Sequence, residues 1–513
     1  MVARKSDLAE TAGASACVAN GWDFAEVFRY QFRLSLEAPA PCAAWRGKRV
    51  GKWHLHHCPD LRAHEIVLGN GTKAGVVLGV AVDATGQVLK GKTKLAGISD
   101  LDALERYIEG LAGRFIVVIA AFDHERVYFD PTGGLTAVYS PEDSVVASSV
   151  HVLARRDIAP NETVTADQVL ARETQFILGE TCDRHCHRIR ANHYLDLATL
   201  DLVRHWPRAE DAFTEDSMSR EDMIAGISER LAQIIGALSG GFTTALPISG
   251  GTDSRILLAA SRDCLDQIEH FYVHDIYRVT EFDRLSATRI ARELGLPLQV
   301  IHHSAPGFDA MDDLALANLR QKMAHRTSLS FNGIDDATVR AVTHAPSADL
   351  VLRGNLAEMT RANKWSRELA GHAVGPEDGL TFLTSKSPEE LRAAWTPERY
   401  ERMLARYGAW VDTLPEPAHQ RIPDLAHIEV FAPAAPNNVY YAFEQNFYIN
   451  PYNDRRILHM TARFHPLARM KRQLVNGIID GLMPELTGLP YGSHYKKLFR
   501  SLRAQGINLR GEF

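Results

Sequence analysis

The stretch Ala245-Leu-Pro-Ile-Ser249-Gly250-Gly251-Thr252-Asp253-Ser254-Arg255-Ile256-Leu257-Leu258 constrains this chain more than any other. The apolar run from Thr243 to Ile248 reads as a short buried strand, the two glycines as a sharp turn free of Cβ atoms, and Asp253-Ser254 as the first turn of a helix. A helix start offers unpaired N–H donors and the positive end of its macrodipole, so phosphate oxygens are its natural partner. An aspartate among phosphates repels them unless a cation lies between, which makes Asp253 a Mg²⁺ ligand rather than a phosphate contact. The loop thus predicts a nucleotide and a divalent metal together. It lacks the Gly-x-x-x-x-Gly-Lys spacing of a Walker loop.

The pattern around the loop fits an α/β unit. Glu221 to Leu238 spaces its apolar residues as an amphipathic helix and leads into the loop strand. After the loop, Ile256, Leu257, Ala260 and Cys264 share one helix face, which reads Cys264 as core. His270 to His274 and Leu298 to His302 are further strands, separated by a helix over Thr280 to Gly295 that a glycine ends, with Pro297 just beyond. This β-α-β-α-β alternation predicts a doubly wound parallel sheet with ligands at the carboxyl ends of its strands.

Ser249 to Ser254 resembles the SGGxDS signature of PP-loop ATP pyrophosphatases, which cleave ATP to AMP and pyrophosphate. Asp349-Leu-Val-Leu352-Arg353-Gly354-Asn355-Leu356-Ala357-Glu358 is similar to the second signature of asparagine synthetase domains, a strand followed by G-E-G-x-D-E. Aligned on Gly354, the metal-binding aspartate of that family falls on Glu358. Asn355 stands where asparagine synthetases carry a glutamate and β-lactam synthetases a tyrosine. An amide cannot act as a general base, so the amine must be activated elsewhere or need no activation.

Upstream, Val27 to Ser149 reads as β-rich. Strands are expected over Val27–Leu36, Arg62–Leu68, Gly75–Val82, Arg114–Ala121, Arg126–Asp130 and Thr136–Ser140, with a helix over Asp100–Leu111. Gly113-Arg-Phe and Asp130-Pro-Thr-Gly133, followed by Tyr139 and Ala147-Ser-Ser149, resemble the "G-x-F … D-P-x-G … Y" core of class II glutamine amidotransferase domains. In asparagine synthetases such a domain stands directly before the SGGxDS domain. The amidotransferases use an N-terminal cysteine whose own α-amine is the base. This chain begins Met1-Val2, and Cys17 precedes the first strand, so the domain is expected to be a shell without glutaminase activity, as in β-lactam synthetases and lasso-peptide cyclases.

Near the C-terminus, Asn450-Pro-Tyr-Asn-Asp454-Arg-Arg456 resembles the family's "PF-x-D-x-R-L" helix start, and Ser387-Pro-Glu-Glu390 is a helix start by pattern. The family then carries a loop whose lysine neutralises charge on the reacting phosphate. Here Leu489-Pro-Tyr491-Gly492-Ser-His494-Tyr495-Lys496-Lys497 has no lysine before Gly492, leaving Lys496 and Lys497 as displaced candidates or as solvated surface lysines. The arginines from Arg353 to Arg367 are either a salt-bridged helix face or partners of a carboxylate or phosphate. His54-Leu-His56-His57-Cys58 and Cys182-Asp-Arg-His185-Cys186-His187 carry the residue types that ligate zinc, and both lack the paired spacing of a structural zinc site.

Length and charge bound the rest. A chain of 513 residues exceeds one core, and its 45% hydrophobic content is that of a globular protein. A net charge of −6 argues against nucleic-acid binding, no apolar run is long enough to span a membrane, and six dispersed cysteines with no secretory signal imply a reducing, cytoplasmic setting.

The division expected is a disordered stretch over 1–20, a degenerate amidotransferase-like domain with its connector over 21–207, and a synthetase domain over 208–513. The resemblance implies α/β plus α+β architecture: an N-terminal Ntn-type antiparallel β-sandwich-like domain, then a PP-loop sheet of the adenine nucleotide alpha hydrolase kind with a helical extension. It implies an AMP-forming ligase using ATP and Mg²⁺ that adenylates a small-molecule or peptide carboxylate and couples it to an amine, with a homodimer as a candidate assembly. Ser249, Gly250, Gly251, Thr252, Asp253 and Ser254 would hold pyrophosphate and metal, with Glu358 the second metal ligand. Gly354 would border the nucleotide, and Leu246 and Val273 would meet adenine through their backbones. Two rivals stand beside this: lasso-type cyclisation of a peptide, and nucleotide binding without turnover, which Asn355, Arg255 in place of the common serine, and the missing lysine favour.

Overall fold

The loop strand lies at the centre of a five-stranded parallel sheet. In the computed structural model, which describes residues 11–276, 280–302, 311–329, 335–367, 374–434, 437–443 and 445–505, the strands run in the order Leu298–His302, His270–Asp275, Thr244–Pro247, Leu350–Leu352, Phe447–Ile449. All four neighbouring pairs are parallel. The Leu350–Leu352 strand is buried throughout and Thr244–Pro247 nearly so, which is why both read as short apolar runs without alternation. The chain builds outward from Thr244–Pro247 through His270–Asp275 to Leu298–His302, then returns to place Leu350–Leu352 on the other side. At this reversal the loops leave the strands in opposite directions and open a crevice at their carboxyl ends.

The helices around this sheet follow the sequence pattern. Arg220–Gly241, capped by the Ser219 side chain, buries Ile227, Leu231, Ile234, Ile235 and Leu238. Glu281–Leu294 ends at Gly295, whose φ of 66° is the left-handed geometry that glycine adopts without a Cβ penalty. Ser387 and Glu390 form a reciprocal capping box, and Asp454 caps Arg455–Arg463. Asp454 also receives Arg230 Nε at 2.8 Å in a buried ion pair that ties the two helices together.

The N-terminal half holds two further sheets, of six and seven strands. Their pairings are antiparallel except for Ala63–Leu68 with Lys92–Leu95. The seven-stranded sheet is buried on both faces. Val76, Leu78, Ile116 and Val118 join a core with Leu34, Leu55 and Val146 of the six-stranded sheet. On the opposite face, Val77, Phe115 and Val117 pack with Leu104 and Ile108 of the helix Leu101–Glu109. The molecule is therefore mixed α/β with antiparallel sheets preceding a parallel one.

Two expectations change here. The expected strand over Val27–Leu36 divides, because the Asp23 carboxylate accepts from the amides of Ala25 and Glu26 and caps a short helix, Phe24–Val27, leaving a strand over Phe32–Ser35 only. The stretch expected to be disordered contains a helix, Ala12–Asn20, capped by Thr11 and closed by Gly21 in the left-handed region. Cys17 is fully buried on it, and the Ala12 amide bonds Ala154 O. Residues 1–10 of that stretch lie outside the described residues.

Candidate functional site

Gly251 begins the helix Thr252–Ala260 without a side-chain cap, so its first turn offers free donors to the crevice. The loop before it is braced by its own hydroxyls: Ser249 N donates to Ser254 Oγ at 3.1 Å and Gly251 N to Ser249 Oγ at 3.2 Å. Gly250 N donates to Asp283 Oδ1 at 2.8 Å. Gly250 is required by a close approach. A Cβ there would sit 2.8 Å from both Asp283 Oδ1 and the Gly492 backbone, and Gly492 N donates to Gly250 O at 2.9 Å. The clearance expected for a ligand is thus partly used by the C-terminal segment.

Arg255 explains how that segment is held. Fully buried, it donates to Leu489 O at 2.7 Å, Leu486 O at 3.3 Å and Ser286 Oγ at 3.0 Å, reaches Pro490 O, and stacks 3.8 Å above the Tyr491 ring. Arg255 thus acts as a clamp between the loop helix and the Leu486–Tyr491 turn.

The second signature arrives from the neighbouring strand. The turn Ala357–Arg361 is bounded by two residues in the left-handed region, Leu356 at φ 72° and Ala362 at φ 49°. Each costs about 1 kcal/mol for a residue with a Cβ. Leu356 therefore adopts a bend that a glycine would make at less cost. Gly354 lies so close to Asp253 that a Cβ would meet its carbonyl carbon at 2.9 Å. These bends bring Glu358 and Arg361 to the same crevice as Asp253.

The crevice comprises two cavities that meet at the loop and at Asp283. One, of about 570 Å³, is lined by Ser249, Asp253, Val273, Arg353, Asn355 and Glu358. The other, of about 540 Å³, is lined by Gly250, Thr252, Arg361, Arg472, His494 and Lys496. Burial pushes the Asp253 carboxyl up to about 6; Arg361 opposes this and the nearby Glu358 adds to it. Glu358 is also pushed up by burial, but His427, with Nε2 at 3.3 Å, outweighs that and leaves it below the usual carboxylate range. Both carboxylates face one cavity, and Mg²⁺ takes one or two protein carboxylates and completes its shell with phosphate and water, so this donor set fits it. Among the described residues no group of three or more His, Cys, Asp or Glu is arranged to hold a metal, so the two His/Cys runs weighed as zinc ligands do not converge.

Not every expected residue is here. Leu246 is buried in the sheet, and Pro247 and Ile248 form the cavity wall beside it. Lys496 lines the second cavity; Lys497 is exposed and lines neither. Three other residues were not singled out. Arg472 enters through its own φ of 63° and donates to Thr252 Oγ1 at 3.2 Å. His274, held down to about 4 by burial and by Arg353, is a neutral ring at neutral pH, with Nδ1 buried and without a hydrogen-bond partner. Arg361 bonds Asp253 directly, through Nη2 at 2.7 and 2.9 Å to its two oxygens. The sequence placed Arg361 within an arginine-rich stretch, but nothing in local spacing distinguishes it from its neighbours. No protein-family model matches this sequence, and no curated protein is significantly similar to it.

Proposed function

We propose that this chain is an ATP-dependent, AMP-forming carbon–nitrogen ligase. One observation carries the reading: the Ser249–Ser254 loop and the Gly354–Glu358 turn, 100 residues apart in sequence, converge at the strand reversal so that Asp253 and Glu358 share a cavity beside an uncapped helix start. The first-turn amides of Thr252–Ala260 would take phosphate oxygens, and the cavity past Val273 would take the adenosine. Asp253 and Glu358 would hold Mg²⁺, which when bound supplies positive charge to the phosphates. A substrate carboxylate in the Arg353–Asn355 part of the cavity attacks the α-phosphorus, the bond to the bridging oxygen breaks, and pyrophosphate leaves. An amine then displaces AMP from the acyl-adenylate and gives up a proton. Arg361, Arg472 and Lys496 line the cavity in which the departing pyrophosphate would lie and would offset its charge.

The amine source in this reading is not a cysteine-dependent glutaminase. Cys17, the candidate nucleophile, lies buried within a helix with its thiol pushed up to about 12, and all six cysteines are buried. Asn355 supports a second reading, nucleotide binding without turnover, because an amide stands in the cavity where the family places a base.

Exchange of [³²P]pyrophosphate into ATP, measured with Mg²⁺ and a panel of carboxylic acids and acid-bearing peptides, separates the two. Acid-dependent exchange that Asp253→Ala abolishes is the expected result. Nucleotide binding with no exchange for any acid tested would establish the second reading instead.

A further inference from the structure

Side chains of the site neutralise one another. Asp283 places a carboxylate oxygen on the Gly250 amide, the position a phosphate oxygen would take at such a loop. Arg361 places its guanidinium on both oxygens of Asp253, where a divalent cation would sit. Each charge expected of a metal–nucleotide complex has a side-chain stand-in of the same sign.

The Arg361 contact is also a poor use of an arginine. A guanidinium best meets a carboxylate with two nitrogens in parallel, fork to fork. Here one nitrogen, Nη2, spans both oxygens, while Nε is buried without a hydrogen-bond partner. Donors therefore remain uncommitted. The pair is about one-third exposed on each side, 32% and 33%, so it is worth little as a structural bridge. The Arg361 side chain lines the same cavity as Gly250, Gly251 and Thr252. Its backbone is in turn fixed by the left-handed residues Leu356 and Ala362 at the two ends of its turn.

We infer that Arg361 is an exchangeable cation of this site: it holds Asp253 while the loop is empty and passes to the pyrophosphate moiety when metal and nucleotide arrive. Its catalytic consequence rests on the adenylation reading, but the exchange itself is a binding event and can be tested without turnover.

The test is a pair of calorimetric titrations of the full chain at pH 8, where Asp253 is ionised, on wild type, Arg361→Gln and Arg361→Lys. Thermal melts confirm that the variants fold. With Mn²⁺ alone, Arg361→Gln binds about fivefold more tightly than wild type, because the competing cation is gone. With the preformed Mg²⁺ complex of α,β-methylene-ATP, the order reverses: Arg361→Gln binds about tenfold more weakly, and Arg361→Lys lies between. Only a group that competes with the metal and serves the nucleotide gives opposite signs. Weaker or unchanged Mn²⁺ binding by Arg361→Gln, or unchanged or tighter binding of the nucleotide complex, overturns the inference. The sign reversal with no pyrophosphate exchange for any acid would leave Arg361's role intact and remove the ligase reading alone.

Discussion

Two aspartates follow strands beside glycines, Asp130 in the turn after His124–Phe129 and Asp253 in the first turn of the helix after Gly251, and they are used in opposite ways. Asp130 is fully buried and accepts from the amides of Phe115, Thr132, Gly134 and Leu135 and from Asn453 Nδ2, at 2.6 to 3.3 Å. Each of those donors is fixed in the fold, and Asn453 binds the N-terminal half to the C-terminal half. Among the described residues Asp253 has one hydrogen-bonding partner side chain, held through a single nitrogen, and it faces a cavity. A carboxylate whose lone pairs are all met by rigid donors stabilises structure; one left under-satisfied at a cavity is available to a ligand.

The sharpest way to break this comparison is to remove the charge of each in turn. Asp253→Asn is expected to lower pyrophosphate exchange about 1,000-fold, equivalent to about 4 kcal/mol, while leaving the melting temperature within a few degrees. Asp130→Ala should do the reverse, costing about 3 kcal/mol or more in a denaturant titration, because several buried N–H groups lose their acceptor. Should Asp253→Asn unfold the protein as readily as Asp130→Ala, the distinction falls.

Gly250→Ala sharpens the comparison at the loop. Its Cβ would lie 2.8 Å from Gly492 and Asp283, so the C-terminal segment must shift. About a tenfold loss of exchange with about 1–2 kcal/mol of stability is expected, read by the same assays.

The smallest effect is a pH dependence. On the proposed reading Asp253 binds metal in its ionised form, and burial pushes this carboxyl up to about 6, so Mn²⁺ affinity should hold steady above that pH and fall about tenfold per unit below it. The sign for stability is opposite. Between the ordinary 3.8 and about 6 the folded chain keeps a proton that the unfolded chain has released. This group therefore works against folding as pH rises through that window.

Much of this was legible in the residues. Periodicity marked the strands Thr244–Pro247, His270–Asp275 and Leu298–His302 and the helices between them, since a buried strand reads as an apolar run and a helix closes at a left-handed glycine such as Gly295; it missed Phe447–Ile449, a three-residue strand inside a stretch that reads as helical. The resemblance marked the helix start at Asp454, and local chemistry marked the one at Ser387. It misjudged Phe24–Val27, where one Asp23 carboxylate outweighs a β-prone run, and Ala12–Asn20, whose small residues look weakly structured until packed against His151 and Phe28. At the site, the residues marked the loop and Asp253, the resemblance alone pointed to Glu358, and neither could separate Lys496 from Lys497, or Arg361 and Arg472 from other arginines.

The sequence alone determined that a strand ends in Ser249-Gly-Gly-Thr-Asp-Ser254 and that a second acidic turn follows Leu350–Leu352, because turn geometry and burial are set within a few residues. Only the tertiary structure decided what those turns face. Strand order placed the two turns side by side, Arg255 drew the Leu486–Gly492 segment onto Gly250, and the left-handed Leu356, Ala362 and Arg472 aimed Glu358 and two guanidinium groups into the crevice. Such convergence depends on contacts between residues 100 to more than 200 positions apart, which local sequence cannot encode.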